Sequence, residues 1–135
     1  MTKAVLIGIV LCLSFFTSRG QAQDLVPQAE YLLSDSLKSR RLSVKWFLGE
    51  LRSKPDDVGF IIISPPKNRS ARTDIRMILT TIRRLKLTER VGVIDGAGVG
   101  QPGLIRCYLV PTDATYLFEN GRKWIYKPRR LKNRD

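Results

Sequence analysis

Two kinds of apolar pattern organise this chain. Gly59-Phe-Ile-Ile-Ile63 is a continuous run rich in β-branched side chains and stopped by Pro65-Pro66. That combination predicts a central strand over Val58 to Ser64, covered on both faces. From Ser70 to Lys86 the pattern changes: Ala71, Ile75, Ile78, Ile82 and Leu85 recur at steps of four, three, four and three. This is the apolar stripe of an amphipathic helix. Arg69, Arg72, Arg76, Arg83 and Arg84 fall on its other side. Such a row reads first as a solvated face, and then as a source of one or two ligand-facing arginines near the helix start. Leu37, Val44, Phe47, Leu48 and Leu51 predict an earlier helix, with Ser34 or Asp35 as N-cap and Pro55 and Asp56-Asp57 ending it. Before it, Gln28 to Leu33 reads as a short first strand or as the beginning of that helix.

Two further strands are predicted, Arg90 to Asp95 and Leu104 to Val110, joined by Gly96-Ala-Gly-Val-Gly100-Gln-Pro-Gly103. A phosphate-binding loop would lead from a strand into a helix N-terminus, whereas these glycines lead into another strand. They therefore read as a strand-to-strand loop, with Asp95 as a turn residue. Between Tyr116 and Tyr126, aromatic and aliphatic residues flank Asn120-Gly121. That predicts a β-hairpin with a type I′ turn, Phe118 opposite Lys123 and Leu117 opposite Trp124. The expected fold class is α+β: a βαβαββ two-layer sandwich, its mixed sheet carrying two helices on one face, with a C-terminal β-hairpin.

The ends of the chain carry different signals. Lys3, the apolar run Ala4 to Phe16 and the small residues of Gly20-Gln21-Ala22 predict a signal peptide over residues 1–22. The run is short for a transmembrane span, so no span is expected after cleavage. The remainder divides into an α/β domain over 23–111, the hairpin over 112–126 and a basic, disordered tail over 127–135. The expected location is periplasmic or secreted.

Composition narrows the chemistry. The chain has 135 residues and a formal net charge of +12, which favours anionic partners. It contains no histidine, which excludes a Ser-His-Asp triad, a Cys-His dyad and any zinc site built with histidine. Cleavage would leave Cys107 as the single thiol, within the apolar strand Leu104 to Val110, where it reads as structural. Asp56-Asp57 is a carboxylate pair only in sequence and serves better as a turn than as a glycosidase dyad. With neither a base nor an activated nucleophile to name, the protein is expected not to be an enzyme. No cofactor or metal is expected.

The order strand, helix, strand, helix, strand, strand after a signal peptide resembles the OmpA-like periplasmic domain over roughly residues 27–111. It is closer still to small secreted bacterial proteins of the same layout. The resemblance is carried by the Ile-rich strand 59–63, the arginine-bearing helix 70–86, Glu89-Arg90-Val91 and Asp95-Gly96. It implies non-covalent binding of peptidoglycan, with an aspartate after the second strand and a helix arginine holding the acidic stem peptide. Here Ser64-Pro-Pro-Lys-Asn-Arg69 stands where the family has Thr-Asp-x-x-Gly. The candidates carried over are Arg69, Arg72 and Arg76 as carboxylate ligands, Arg76 first, with Asn68 and Asp74 completing the site.

Two functions follow as expectations. One is a binding module for peptidoglycan or another anionic envelope component. The other is a general polyanion- or protein-interaction protein without a pocket, using the basic tail Lys127, Arg129, Arg130, Lys132 and Arg134 beside Trp124 and Tyr126. The export signal makes nucleic acid an improbable natural partner, leaving an envelope component or envelope protein.

Overall fold

The computed structural model describes residues 26–67, 70–98, 100–119 and 121–128. The expected signal peptide, Asn68, Arg69, Asn120 and the tail residues Arg129, Arg130, Lys132 and Arg134 lie outside the described residues. The elements run β1 (Ala29–Leu32), α1 (Leu37–Arg52), β2 (Asp57–Ser64), α2 (Arg72–Arg84), β3 (Val91–Asp95), β4 (Leu104–Pro111), a 3-10 helix (Thr112–Phe118) and β5 (Lys123–Tyr126). They form a five-stranded mixed sheet in the order β1-β4-β2-β3-β5. Only β2 and β3 pair in parallel, as their connection through α2 requires. The fold is α+β, a two-layer sandwich of sheet and helices. Among the described residues, no helix is long and apolar enough to cross a membrane.

The apolar run of β2 is the centre of the molecule. β4 and β3 bond to its two edges, and seven of its eight residues are buried. Because side chains alternate along a strand, Ile61 and Ile63 meet α1 and α2 through Phe47, Leu48, Ile78 and Ile82. Val58, Phe60 and Ile62 face the opposite way. The helices therefore share one face of the sheet, as the sequence pattern predicts. α1 begins later than expected: its N-cap is Ser36, whose Oγ accepts from Ser39 N. Asp35 instead folds back, its Oδ2 accepting from Leu32 N to close the β1–α1 turn.

Arg90 anchors the other end of α1. Its guanidinium donates to Leu51 O at 3.0 Å, Lys54 O at 2.5 Å and Asp57 O at 2.9 Å. These carbonyls include the orphaned acceptors of a helix C-terminus, which a cation both hydrogen-bonds and stabilises electrostatically. An arginine that reads as the lead-in to a strand thus fixes the α1–β2 turn.

The C-terminal hairpin does not form. Its expected first arm is the 3-10 helix, and β5 pairs antiparallel with β3 instead, Ile94 standing beside Trp124. Residues 123–126 consequently complete the main sheet rather than an appended unit. Two causes are visible. Thr112 is tied to the start of β2, donating from its N and Oγ1 to Asp56 O, while Thr115 Oγ1 donates to Thr112 O. That curls the chain over the second face of the sheet, where Phe118 stacks on Phe60 with ring centroids 4.4 Å apart and planes 8° from parallel. The free edge of β3 then takes β5, and Trp124 packs so closely over Gly92 that a Cβ there would lie 2.7 Å from its ring.

Cys107 is fully buried and free, as its place in an apolar strand implies. Burial pushes its thiol well above the ordinary value of 9.0, and burial also raises Tyr31 and Tyr108 above their ordinary 10.0. Each of these groups is an acid held neutral by the fold. The unfolded chain loses its protons first, so stability should hold below pH 9 and fall as pH rises through 9–10 and beyond. The urea midpoint, measured between pH 8 and 11, should drop over that window. The thiol should resist a disulfide reagent at pH 8 until urea unfolds the chain. A flat midpoint with prompt labelling would contradict both expectations.

Candidate anion-binding groove

Of the ligand residues named from sequence, Arg72, Asp74 and Arg76 are described, and these three do not converge on one site. Asp74, expected to complete a ligand site, has a side chain only 5% exposed and is held by Arg40 of α1. Arg40 Nε donates to Asp74 Oδ2 at 2.7 Å and Nη2 to Oδ1 at 2.9 Å, a bidentate pairing. Arg40 Nη1 also donates to Leu33 O at 3.0 Å and to Asp35 O. The pair pins the first turn of α2 to α1 and to the β1–α1 turn. Its carboxylate is nearly buried and both oxygens are engaged by Arg40, so Asp74 serves as a structural strut rather than as a ligand residue.

Arg72 is exposed at the start of α2. Arg76, one turn further on, lines a groove between the two helices with a volume of about 400 Å³. Arg41 and Lys45, one turn apart on α1, form the opposite bank, and Arg84 extends the α2 bank. Thr73 and Thr80 add hydroxyls, Leu37 and Met77 apolar surface, and no acidic residue is among the lining. Helical geometry explains the alignment. On α1, residues four apart share a face, so Arg41 and Lys45 emerge beside the buried stripe Val44, Phe47, Leu48 and Leu51. On α2, Arg76, Thr80 and Arg84 repeat at the same spacing. Unscreened by neighbouring carboxylates, these cations sum to a positive field along an open cleft. The arrangement offers hydrogen bonds and charge to an extended anion.

Sequence reasoning put Arg76 and Arg84 on one side of their helix and missed Arg41 and Lys45 as their neighbours across the groove. The missing information was how α1 and α2 pack, which neither helix encodes alone. The tail reading meets a different geometry. Trp124 is half-buried against the second-face cluster, Lys127 Nζ lies over its ring at 5.9 Å from the centroid, and Tyr126 donates to Thr88 O at 2.5 Å. These aromatic groups fasten the sheet edge instead of standing open for stacking. Among the described residues, no cluster of three or more His, Cys, Asp or Glu could hold a metal ion. No protein-family model, curated protein or solved structure matches the chain, so the groove is read from its own chemistry.

Proposed function

We propose that the protein is a non-catalytic binding module of the bacterial envelope, periplasmic or secreted, that holds an acidic polymer segment in the groove between α1 and α2. The observation that carries this reading is the convergence of Arg41, Lys45, Arg76 and Arg84 without an opposing carboxylate. A groove of this size fits a short acidic peptide better than a single small ion. The OmpA-like resemblance supports the same direction, since it implies a helix arginine on an acidic stem peptide and Arg76 occupies the groove. Peptidoglycan is accordingly the first ligand to test.

The test is co-sedimentation of the mature protein with purified sacculi at low and moderate salt. Arg76→Glu combined with Arg84→Glu should weaken binding at least tenfold, because two charge-assisted contacts become repulsions. Both side chains lie on an exposed helix face, so the fold should survive. Neutralising Arg129, Arg130, Lys132 and Arg134 should reduce binding at low salt only. Retention of full affinity in the groove variant, or its loss with the tail charges alone, would refute the groove as the site.

A further inference from the structure

On the face of the sheet opposite the helices lies a second, smaller cavity of about 140 Å³. It opens at the carboxyl ends of the parallel strands β2 and β3, a position where α/β sheets commonly leave a ligand crevice. Its floor is Ile62 and Ile94, and Arg106, Arg122 and Lys123 stand around it with Asp95. Arg106 belongs to β4, in register with Ile62 of β2 and Glu30 of β1. Its guanidinium turns toward the glycine loop, where a Cβ on Gly100 would come within 3.1 Å of Nη2.

One atom in this cavity is, like the Tyr31 hydroxyl under the helices, an exception among the buried polar groups described. Arg106 Nε is buried and has no hydrogen-bond partner among the described residues. Buried donors almost always have one. The neighbouring groups do not fill the role. No ion pair joins Arg106 to Glu30, and Asp95 is taken up by Lys123 at 3.5 Å and by Ala97 N at 2.9 Å. Tyr108 is raised by burial, while the charge of Arg106 and a side-chain hydrogen bond with it act to lower it; that contact leaves Nε itself unpartnered. Arg122 is held over the Phe118 ring, 5.4 Å from its centroid, and so presents a second fixed guanidinium. With Asp95 and Lys123 offsetting one another, Arg106 and Arg122 leave the cavity positive.

We infer that this cavity is a second anion site, taking a single carboxylate or phosphate group between Arg106 and Arg122. A pair of oxygens on a carboxylate or a phosphate matches the forked donors of arginine, and the volume admits one such group but not a polymer. The glycine loop suits the site because side chains at Gly96 or Gly100 would intrude on Ser64 or Arg106. This site shares no residue with the interhelical groove and stands or falls separately from it.

The experiment titrates the mature protein with inorganic phosphate and, separately, acetate, at ionic strength held constant with chloride. Amide shifts of Gly96, Gly98 and Gly100 are followed by NMR. Saturable shifts with either probe are expected, the tighter probe naming the ligand class. Arg106→Gln and Arg122→Gln should each weaken binding at least tenfold, while Arg76→Glu with Arg84→Glu leaves it unchanged. Should Arg106→Gln fail to fold, Arg122→Gln decides, since that side chain is half-exposed. Absence of saturation with both probes, or equal affinity in Arg122→Gln, would overturn the assignment.

Discussion

Asp74→Ala should destabilise the protein by about 3–5 kcal/mol, the range for removing one partner of a buried ion pair. The substitution leaves Arg40, 13% exposed, with a buried charge that its two carbonyl acceptors offset only in part. Arg40→Ala should cost a comparable amount. Replacing both at once, as R40M with D74L, should recover most of the loss, because an apolar pair of similar volume suits the same interior. Urea denaturation of the three variants measures this directly. If D74A alone unfolds with the wild-type midpoint, the carboxylate is not a strut between the helices, and a ligand role for it would have to be reopened.

The second large effect is expected on the opposite face. Phe118→Ala should cost about 3–5 kcal/mol, the usual range for deleting a buried phenylalanine. The ring is fully buried, stacked on Phe60 and with its centroid 5.3 Å from that of Tyr108. A domain of about a hundred residues loses roughly 4–8 °C per kcal/mol, so the melting temperature should fall by at least roughly 12 °C. The result also separates two geometries. In a hairpin beside the domain Phe118 would be partly solvated, and its truncation would cost well under the range above.

These two residues show what the sequence makes legible. Period and composition suffice for β2, α1, α2, β3 and β4, because each carries a pattern complete within itself. The same patterns held an unread clue to the ion pair. Arg40 lies four residues before Val44, and Asp74 four before Ile78, so each charge falls on the apolar stripe of its helix. Opposite charges on two facing stripes have little alternative but to find each other. The C-terminal region misleads for a related reason. Asn120-Gly121 is a strong local hairpin signal, but the apolar residues before it can serve either a strand or a short helix. The choice is made by the uncovered second face of β2 and the free edge of β3, which are tertiary facts. The groove was half-legible on the same grounds: Arg76 follows from its own helix, Arg41 and Lys45 only from the docking of another.

The order β1-β4-β2-β3-β5 has a consequence for how the chain reaches its native state. Ala29 bonds opposite Cys107, so the first strand has no partner until nearly the whole domain exists. β4 also supplies one edge of β2, and until it arrives that strand offers a bare row of amides and carbonyls. Closing such a long loop must precede most of the reward, which places this sheet among slow, non-local folders despite its two helices. A chain emerging from a ribosome would thus stay uncommitted until Leu104–Pro111 is free, and then complete the sheet from its middle outward.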